Sequence, residues 1–240
     1  MPPETKTLDV VIPVYNEEVD LESSVSRLRE YLGQNLPYAW RVVIADNAST
    51  DRTPELGKEL AQRWPGQVTY LRLPQKGRGR ALRRAWLESS ADVVCYMDVD
   101  LSTDLRHIGP LVEPLMKGVM HVAVGSRLMR GSQVINRTPL REFTSRVYNL
   151  LIGVMFPGRS FKDAQCGFKA LTRQAVQELV PQIKDEAWFF DTELLLRAEK
   201  AKYRIHQVPV RWVDDPASTV NVANTAWKDI QGLVRVRFGG

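Results

Sequence analysis

The most constraining feature of this 240-residue chain is the alternation, through its first hundred residues, of short apolar runs with stretches of helical periodicity. The apolar runs are rich in β-branched residues, as strands of a parallel sheet covered on both faces are. Strands are predicted at 8–14, 41–45, 68–73 and 92–97, and helices at 21–32, 54–64 and 77–90. This order predicts an α/β fold with a mostly parallel central sheet flanked by helices.

The second half of the chain has a less regular pattern. It contains no internal repeat and no low-complexity segment, so a single domain over residues 1–240 is expected, with a flexible segment at 1–7. Strands are predicted at 119–125, 168–172 and 206–212, and helices at 140–155, 173–179 and 191–202. Residues 221–240 are expected to form a basic amphipathic tail.

Composition limits the cellular compartment in which the chain is expected and the disulfide and metal sites that it can form. Cys95 and Cys166 have neither a CxxC spacing nor a histidine at ligand spacing, which argues against a disulfide framework and a zinc site. The polar first residues do not resemble a signal peptide, and no run approaches eighteen apolar residues. A cytoplasmic chain is therefore expected, with any membrane contact peripheral or through a partner.

The net charge is +5, and its distribution is more informative than its total. One basic stretch covers residues 72–84. A second, over 127–162, interleaves arginines with apolar residues such as Phe143 and Leu150. Basic residues mixed with apolar ones are typical of a surface that meets lipid headgroups. Aromatic platforms beside a basic groove are not evident, so no nucleic-acid partner is predicted.

Acidic and polar side chains follow three of the predicted strands, where ligands of open parallel sheets collect. The pair Asp98 and Asp100 leaves a buried strand at i, i+2 spacing, a pattern that can hold one hard divalent cation against a diphosphate. The alternative is that one aspartate caps the next helix and the other is solvated. Repulsion between carboxylates gathered at one edge favours a cation or polar ligand groups among them.

Three segments in this order, VIPVYNEE (11–18), ADNASTD (45–51) and MDVD (97–100), resemble the GT-A fold glycosyltransferases of family 2. The resemblance implies that residues 8–118 form a nucleotide-sugar-binding half and that Asp98 and Asp100 hold Mg²⁺ or Mn²⁺. KGRGRA (76–81) resembles a donor-side segment of that family. The nucleotide-sugar residues implied by the resemblance are Pro13, Tyr15, Glu17, Asp46, Asn47, Asp51, Lys76, Gly77, Asp98, Val99 and Asp100.

Further segments resemble the polyprenyl- and dolichyl-phosphate sugar synthases, and among them the dolichyl-phosphate glucosyltransferases. They are GSR (125–127), PLREFTSR (139–146), DAQCGFKA (163–170), WFFDTELL (188–195) and QVPVRW (207–212). The resemblance implies an acceptor-binding half at 119–220, with Arg127, Arg141 and Ser145 on the acceptor phosphate. Asp100, Arg127 and Asp163 are the implied catalytic residues. Lys169 is interpreted as a surface lysine, and Asp191 and Glu193 have a capping alternative.

Two departures from that pattern are visible. The last motif of the family ends in a lysine, whereas DDPASTV (214–220) has Thr219 after Ser218. Many relatives continue into transmembrane helices, and this sequence does not, so a small integral membrane partner or the helix at 141–156 is expected to bring it to lipid.

The implied reaction is inverting transfer of a sugar from a nucleotide-sugar to polyprenyl or dolichyl phosphate, for cell-envelope glycan synthesis. A UDP-sugar donor carrying glucose or N-acetylgalactosamine is favoured. The alternatives are a GDP-mannose donor, a hydroxyl acceptor, which requires a carboxylate base, and a noncatalytic nucleotide or nucleic-acid binding module. An acceptor that is already a phosphate anion needs no strong base.

Overall fold

The computed structural model describes residues 5–214 and 222–239, and in the last helix the side chains from 227 onward. Seven strands form the main sheet in the order β3-β2-β1-β4-β7-β5-β8, and β6 pairs with β9 in a separate two-stranded sheet. The strands are β1 (Thr7–Val14), β2 (Ala39–Asp46), β3 (Val68–Arg72), β4 (Val93–Met97), β5 (Val122–Ser126), β6 (Gln133–Ile135), β7 (Phe168–Thr172), β8 (Ile205–Pro209) and β9 (Arg211–Val213).

In the described residues, eight α-helices connect and cover these strands. They are α1 (Leu21–Asn35), α2 (Thr53–Arg63), α3 (Arg78–Glu88), α4 (Ile108–Met116), α5 (Pro139–Met155), α6 (Arg173–Leu179), α7 (Phe190–Lys200) and α8 (Val222–Phe238). The strands β1 and β4 are buried along nearly their whole length, as the continuous apolar runs predict. The α/β architecture and its mostly parallel sheet are confirmed.

One antiparallel strand decides where the site lies. Strands β1, β2, β3 and β4 are mutually parallel, β7 runs antiparallel to both β4 and β5, and β5 is parallel to β8. Because β7 is reversed, its first residue, Phe168, pairs with Met97 at the end of β4. The carboxyl ends of β1, β2, β4, β5 and β8 and the entry to β7 therefore meet at one edge of the sheet.

Two predicted strands need correction. Residues 119–121 were expected in a strand but belong to the turn after α4, where the backbone amides of Val119 and Met120 donate to the Pro114 carbonyl. Helix α4, with Pro114 inside it, had no counterpart among the predicted elements. The predicted strand at 206–212 is two strands in different sheets, because Pro209 has no amide donor and Val210 bonds across to both Ser126 and Gln133.

The remaining expectations on the chain's organisation have mixed outcomes. Strand β1 begins at Thr7, inside the segment expected to be flexible, and residues 1–4 lie outside the described part. The tail expected at 221–240 contains α8. Cys95 and Cys166 are free and fully buried, and burial raises the pKa of both thiols. Within 5–214 and 222–239, no helix has the length and apolar character needed to cross a bilayer.

Candidate active site

Three loops at the carboxyl edge of the sheet share an uncommon backbone conformation. Asn16, Ala48 and Leu101 have φ of 56°, 63° and 51°, and they follow β1, β2 and β4 in turn. A residue with a Cβ atom in this left-handed region carries a conformational cost, and such residues concentrate at functional sites. Two of the three segments that resemble a nucleotide-sugar site therefore contain one such residue, and the third, MDVD, is followed directly by one.

The loops after β1 and β2 are joined by hydrogen bonds. The Asn16 amide donates to Ser49 Oγ at 3.0 Å, and Asn16 Oδ1 accepts from the Thr50 amide at 2.8 Å. The Glu17 amide donates to Thr53 Oγ1 at 2.8 Å. These reciprocal bonds satisfy loop amides that have no sheet partner, so the two loops form one rigid wall.

The predicted nucleotide residue Asp46 is fully buried at the end of β2. Its carboxylate accepts from the Ser49 amide at 2.9 Å and from the Tyr70 hydroxyl at 2.5 Å, and Arg72 Nε lies 3.9 Å away. Burial, followed by the bond to Asp46, raises the pKa of Tyr70, which keeps its hydroxyl a donor. Asp46 is thus a buried acceptor that fixes the loop carrying Asn47.

The segment at 76–77 lies against the two loops. The Lys76 ammonium sits 3.3 Å from the ring centroid of Tyr15, a cation–π contact, and the Gly77 amide donates to Asn47 Oδ1. Pro13 is partly exposed in β1, and Val99 is buried between the two aspartates of MDVD. The structure thus brings together Tyr15, Asn47, Lys76 and Gly77, as a shared donor site requires.

Two acidic residues of these loops have different environments. Asp51 accepts from the Thr53 amide at 2.9 Å, which caps α2, and from the Glu18 amide at 3.2 Å. Burial, and then the charges of Asp20, Asp100, Asp51 and Asp98, raise the pKa of Glu17 to about 7. These carboxylates therefore share one electrostatic neighbourhood, in which negative charge accumulates.

Asp98 and Asp100 offer oxygen ligands of the kind that Mg²⁺ and Mn²⁺ prefer. Asp98 Oδ1 accepts from Arg78 Nη2 at 2.8 Å, and Asp100 accepts from the Ser102 amide and hydroxyl at 2.9 and 2.6 Å. In the described part of the chain no group of three or more His, Cys, Asp or Glu side chains is arranged as a metal cage. The donor set therefore fits an ion that takes its other ligands from a diphosphate and water.

Behind Asp98 lies a buried charged hub formed by Arg78, Tyr96, Lys169 and Asp191. Asp191 bonds Arg78 Nη1 at 2.6 Å, Lys169 Nζ at 2.8 Å and the Tyr96 hydroxyl. Lys169 is fully buried and also donates to the Ala164 and Cys166 carbonyls. The interpretation of Lys169 as a surface lysine is wrong, because β7 is covered by neighbouring strands on both edges and by helices.

Asp163 and Arg127, both predicted catalytic, form a buried bidentate pair. Asp163 accepts from Arg127 Nε at 2.8 Å, Nη2 at 3.0 Å and the backbone amide at 3.0 Å. Burial alone would raise the pKa of Asp163, but the charge and hydrogen bonds of Arg127 lower it to about 2. Asp163 is thus an anion that orients Arg127, and its low proton affinity disfavours a role as general base.

A second and a third arginine lie beside this pair. Arg137 has only 8% of its side chain exposed, and burial and then the charge of Arg127 lower its pKa. Arg137 Nε and Arg141 Nη1 lie 3.9 and 4.0 Å from the Asp214 carboxylate. Arg137 Nη1 and Ser145 Oγ are buried without a hydrogen-bond partner among the described residues. Glu142 Oε2 also lies 3.2 Å from Arg137 Nε, so each of the three arginines has a carboxylate beside it. The cluster thus combines three guanidinium groups with unsatisfied donors, which suits an anion.

A short loop joins the carboxylates to the arginines. Asp163, which bonds Arg127, and Gly167 are separated by four peptide steps, at most about 14 Å. A Cβ atom placed on Gly167 would lie 2.0 Å from Asp98 Oδ2, so the loop backbone rests directly against that carboxylate. The loop therefore connects the acidic and basic parts of the site over a span of at most about 14 Å.

Neither Arg78 nor Arg137 was predicted as a site residue. The contacts that Asp191 makes in the hub were not predicted either. Arg137 lies in the basic stretch at 127–146 and precedes the Thr138 cap of α5, a signal that was available. The pairing of Arg78 with Asp191 spans 113 positions and leaves no local signal. The motif at 214–220 lies outside the described residues except for Asp214.

Comparisons with known proteins agree with this geometry. The family model described as glycosyl transferase family 2 matches residues 9–180. Glycosyltransferase AglD of Haloferax volcanii is 37% identical over 94% of this chain, which spans 35% of that protein. A dolichyl-phosphate beta-glucosyltransferase of Dictyostelium discoideum is 28% identical over 96% of the chain, which spans 74% of it.

Solved structures with the same fold include glucosyl-3-phosphoglycerate synthase from Mycobacterium tuberculosis, crystallised with Mn²⁺, UDP and glucosyl-3-phosphoglycerate. Its TM-score is 0.72 at 17% identity, and the match covers 97% of this chain and 80% of the other. At this identity the likeness concerns the fold, and it confirms the predicted GT-A architecture.

Proposed function

Because the chain belongs to glycosyl transferase family 2, we propose that it transfers a sugar from a nucleotide-sugar to a polyprenyl or dolichyl phosphate with a divalent cation. The observation that carries the proposal is the loop 163–167, which rests against Asp98 at one end and bonds Arg127 at the other. A site with carboxylates on one side and arginines on the other suits a donor that binds together with a divalent cation and an acceptor that carries a phosphate anion. The relatives named dolichyl-phosphate beta-glucosyltransferases support the same acceptor class.

On the donor side, the wall formed by Tyr15, Asp46 and Asn47 is proposed to hold the base and ribose. Asp98 and Asp100 would hold Mg²⁺ or Mn²⁺, which when bound neutralises charge on the departing nucleoside diphosphate. Lys76 is close enough to Tyr15 to add positive charge beside the diphosphate. A UDP-sugar carrying glucose or N-acetylgalactosamine is the proposed donor, and GDP-mannose is the alternative.

On the acceptor side, Arg127, Arg137 and Arg141 are proposed to bind the lipid phosphate, with Ser145 Oγ adding a donor. Guanidinium groups bind phosphate through paired hydrogen bonds, which orient it as well as neutralise it. Held in this way, a phosphate oxygen attacks the anomeric carbon from the face opposite the leaving group, so the product has inverted configuration. Positioning and charge compensation supply most of the catalysis, because the nucleophile is already an anion.

A hydroxyl acceptor is the weaker alternative because it requires a carboxylate base. Two buried carboxylates near the acceptor side are engaged by cations, Asp163 by Arg127 and Asp191 by Arg78 and Lys169. The charges of these partners lower both pKa values against the effect of burial. A neutral acceptor would also leave the buried donors Arg137 Nη1 and Ser145 Oγ without an anion to bind.

The proposed place of the reaction is the cytoplasmic face of a membrane, because a polyprenyl phosphate resides in a bilayer. The basic and apolar residues of α5 support peripheral attachment there. A small integral membrane partner, as the sequence predicts, stays a prediction. The halves at 8–118 and 119–220 keep their proposed roles as the donor and acceptor sides.

The test is transfer from a panel of UDP- and GDP-sugars to a short-chain polyprenyl phosphate dispersed in detergent, with Mg²⁺ or Mn²⁺. The wild type should form one sugar-lipid product, and Asp100→Ala should lose at least about a hundredfold in rate. Arg84→Ala, on the exposed face of α3, is the matched control and should keep its rate. Lack of product from every donor, or transfer to glycan hydroxyls instead, would contradict the proposed acceptor.

A second test separates the two roles of Asp163. If it only orients Arg127, Asp163→Asn should raise the KM for the lipid phosphate by about tenfold or more and leave the pH profile of kcat unchanged. If it were a base, the acidic limb of that profile would disappear.

A further inference from the structure

Helix α5 presents an apolar stripe to solvent. Five large hydrophobic side chains on it are between 47% and 72% exposed: Leu140, Phe143, Val147, Leu150 and Val154. They recur at three- and four-residue spacing, so they lie along one side of the helix. The buried residues Ser145, Tyr148, Asn149 and Ile152 occupy the opposite side, against the protein. The stripe therefore points away from the core.

Helix α8 repeats this arrangement. Trp227, Ile230, Val234 and Phe238 are exposed at the same kind of spacing, and Asp229 and Leu233 are buried on the other side. Most of the large apolar side chains that are exposed in the described residues thus belong to these two helices. Exposed apolar patches of this extent mark interaction surfaces in soluble domains.

The two helices lie side by side and run in the same direction. The Tyr148 hydroxyl contacts the Asp229 carboxyl, and the Arg237 guanidinium lies 5.9 Å from the ring centroid of Phe156. The contact points are eight residues apart on each helix, which is the relation expected for parallel neighbours. With both apolar stripes turned outward, the two helices together present one broad apolar face, here termed the α5–α8 face.

The charged side chains near this face indicate which kind of partner can bind it. The basic residues Arg146, Lys228 and Arg237 are exposed on these helices. Glu142 pairs with Arg146 and Asp229 is buried, so Lys228 and Arg237 give the exposed side of the two helices its net positive charge. A second copy of the chain would bring like charges together at this face, whereas anionic lipid headgroups would neutralise them.

The inner side of α8 contacts the site. Gln165 Nε2, in the loop 163–167, donates to Asp229 Oδ2 at 3.1 Å, and Arg235 Nη2 bonds Glu193 Oε2 at 2.6 Å. The same helix therefore touches the acceptor loop with one side and exposes apolar residues on the other. Arg141 stands at the amino-terminal end of α5, so the stripe also begins beside the arginine cluster.

We propose that the α5–α8 face docks directly on a bilayer containing anionic phospholipid, with the apolar side chains among the acyl chains and the basic residues at the headgroups. The proposal rests on the proposed function, which places the acceptor in a bilayer. It goes further in identifying the surface and in requiring no partner protein. Docking by this face would present the arginine cluster to a phosphate at headgroup depth.

The first test is flotation of the full chain with phosphatidylcholine vesicles that contain or lack phosphatidylglycerol, without donor or acceptor. The wild type should bind the anionic vesicles, and Leu150→Glu should reduce binding by about tenfold or more. Val119→Glu is the matched control, because Val119 is similarly exposed but lies in the turn after α4. Both positions are on the surface, so both variants should fold.

The second test uses tryptophan fluorescence with brominated phospholipid in the same vesicles. Quenching should be seen in the wild type and in Trp188→Phe, and should be lost in Trp227→Phe. Trp188 is 47% exposed but lies outside α5 and α8, whereas Trp227 is 62% exposed on the stripe of α8. Unchanged quenching in Trp227→Phe would contradict the proposed orientation.

Three outcomes would overturn the proposal. They are absence of vesicle binding by the wild type at low salt, equal binding by Leu150→Glu and Val119→Glu, and a dimer that Leu150→Glu dissociates without any effect on vesicles. The last would assign the face to a second copy. Vesicle binding without sugar transfer would leave the docking face standing and remove the proposed function. Leu150→Glu should still transfer sugar to a detergent-dispersed acceptor.

Discussion

The donor side and the acceptor side of the site hold their polar groups in different ways. On the donor side, side chains of the loops after β1 and β2 bond mainly to backbone amides of the neighbouring loop, as Asn16 and Asp51 do. On the acceptor side, buried ion pairs such as Arg127 with Asp163 and Lys169 with Asp191 dominate. The donor-side bonds hold the loops in one conformation, and the acceptor-side ion pairs hold charged side chains in position.

This difference matches the two proposed substrates, a nucleotide-sugar and a lipid phosphate. A network of bonds from side chains to backbone amides, between loops on adjacent strands, suits the varied polar groups of a nucleotide. Buried ion pairs between distant segments hold charged groups at chosen points, as Asp163 holds Arg127. Such pairs are costly to break, because removing one partner leaves the other charge buried.

The largest effect is expected on the acceptor side, at the hub. Lys169→Met removes a fully buried ammonium from Asp191 and should lower the free energy of unfolding by about 3 to 5 kcal/mol. Urea denaturation followed by circular dichroism measures it. Lys117→Met, which removes an exposed lysine paired with Glu113, should leave the transition midpoint in place. Equal midpoints for the two variants would show that the hub does not stabilise the fold.

The next effect tests the junction of the two sides. In Gly167→Ala, the new Cβ atom would lie 2.0 Å from Asp98 Oδ2, so the carboxylate or the loop must shift. A displacement of about 1 Å at a reacting centre can cost about a hundredfold in rate, and that loss of kcat/KM is expected here. Gly153→Ala is the control, since its Cβ would make ordinary contacts at 3.6 Å in α5. A normal rate in Gly167→Ala would separate the two sides functionally.

A smaller, pH-dependent effect is expected at Asp229. Burial, and then the charge of Asp185, raise its pKa from 3.8 to about 7, with Asp191, Tyr148 and Gln165 also facing it. The folded state therefore binds the proton more tightly than the unfolded state, and stability falls as pH rises from about 4 to about 7. In Asp229→Asn, the decrease in the free energy of unfolding over this pH range should be smaller by about 1 to 3 kcal/mol.

The measurement for Asp229 is urea unfolding at pH 5 and pH 8. Wild type should be less stable at pH 8, and Asp229→Asn should narrow the difference. Glu113→Gln, on the exposed side of α4, provides the matched control and should retain the wild-type difference. A wild-type stability that rises over this interval would reverse the inferred sign.

The smallest effect is expected on the donor side. Tyr70→Phe removes the hydroxyl that donates to Asp46, while the Ser49 amide still bonds that carboxylate. The loss should be about 1 kcal/mol, or about fivefold in the dissociation constant of UDP measured by calorimetry with Mn²⁺. A drop as large as that of Gly167→Ala would show that the donor side also depends on single contacts.

Much of the donor side was predictable because its information is local. Each βα unit places its polar loop directly after an apolar strand, so element order located the loops that carry Asp46, Asn47 and Asp98, and the resemblance supplied their predicted roles. The acceptor side was found through motif resemblance, and its internal pairing was not. Lys169 lies in a strand with apolar neighbours on both sides in sequence, which should have indicated burial, but its partner Asp191 lies 22 positions away.

The elements that were wrongly predicted also depend on contacts between residues that are distant in sequence. The split of the predicted strand at 206–212 depends on Val210 bonding to the last residue of β5 and to the first residue of β6. Helix α4 carries Pro114, a residue that discourages a helical assignment, and is held by packing on β5, β7 and β8. Tertiary contacts decide both, so local propensity was insufficient.

Both native cysteines are shielded from solvent and hold thiols with raised pKa values, so they react slowly with maleimides at neutral pH. A new cysteine at an exposed position, for example Val234→Cys on α8, can therefore be labelled selectively with a fluorophore or spin probe while the natural thiols stay in place. The chain is thus already suited to spectroscopy at its surface without first being made cysteine-free.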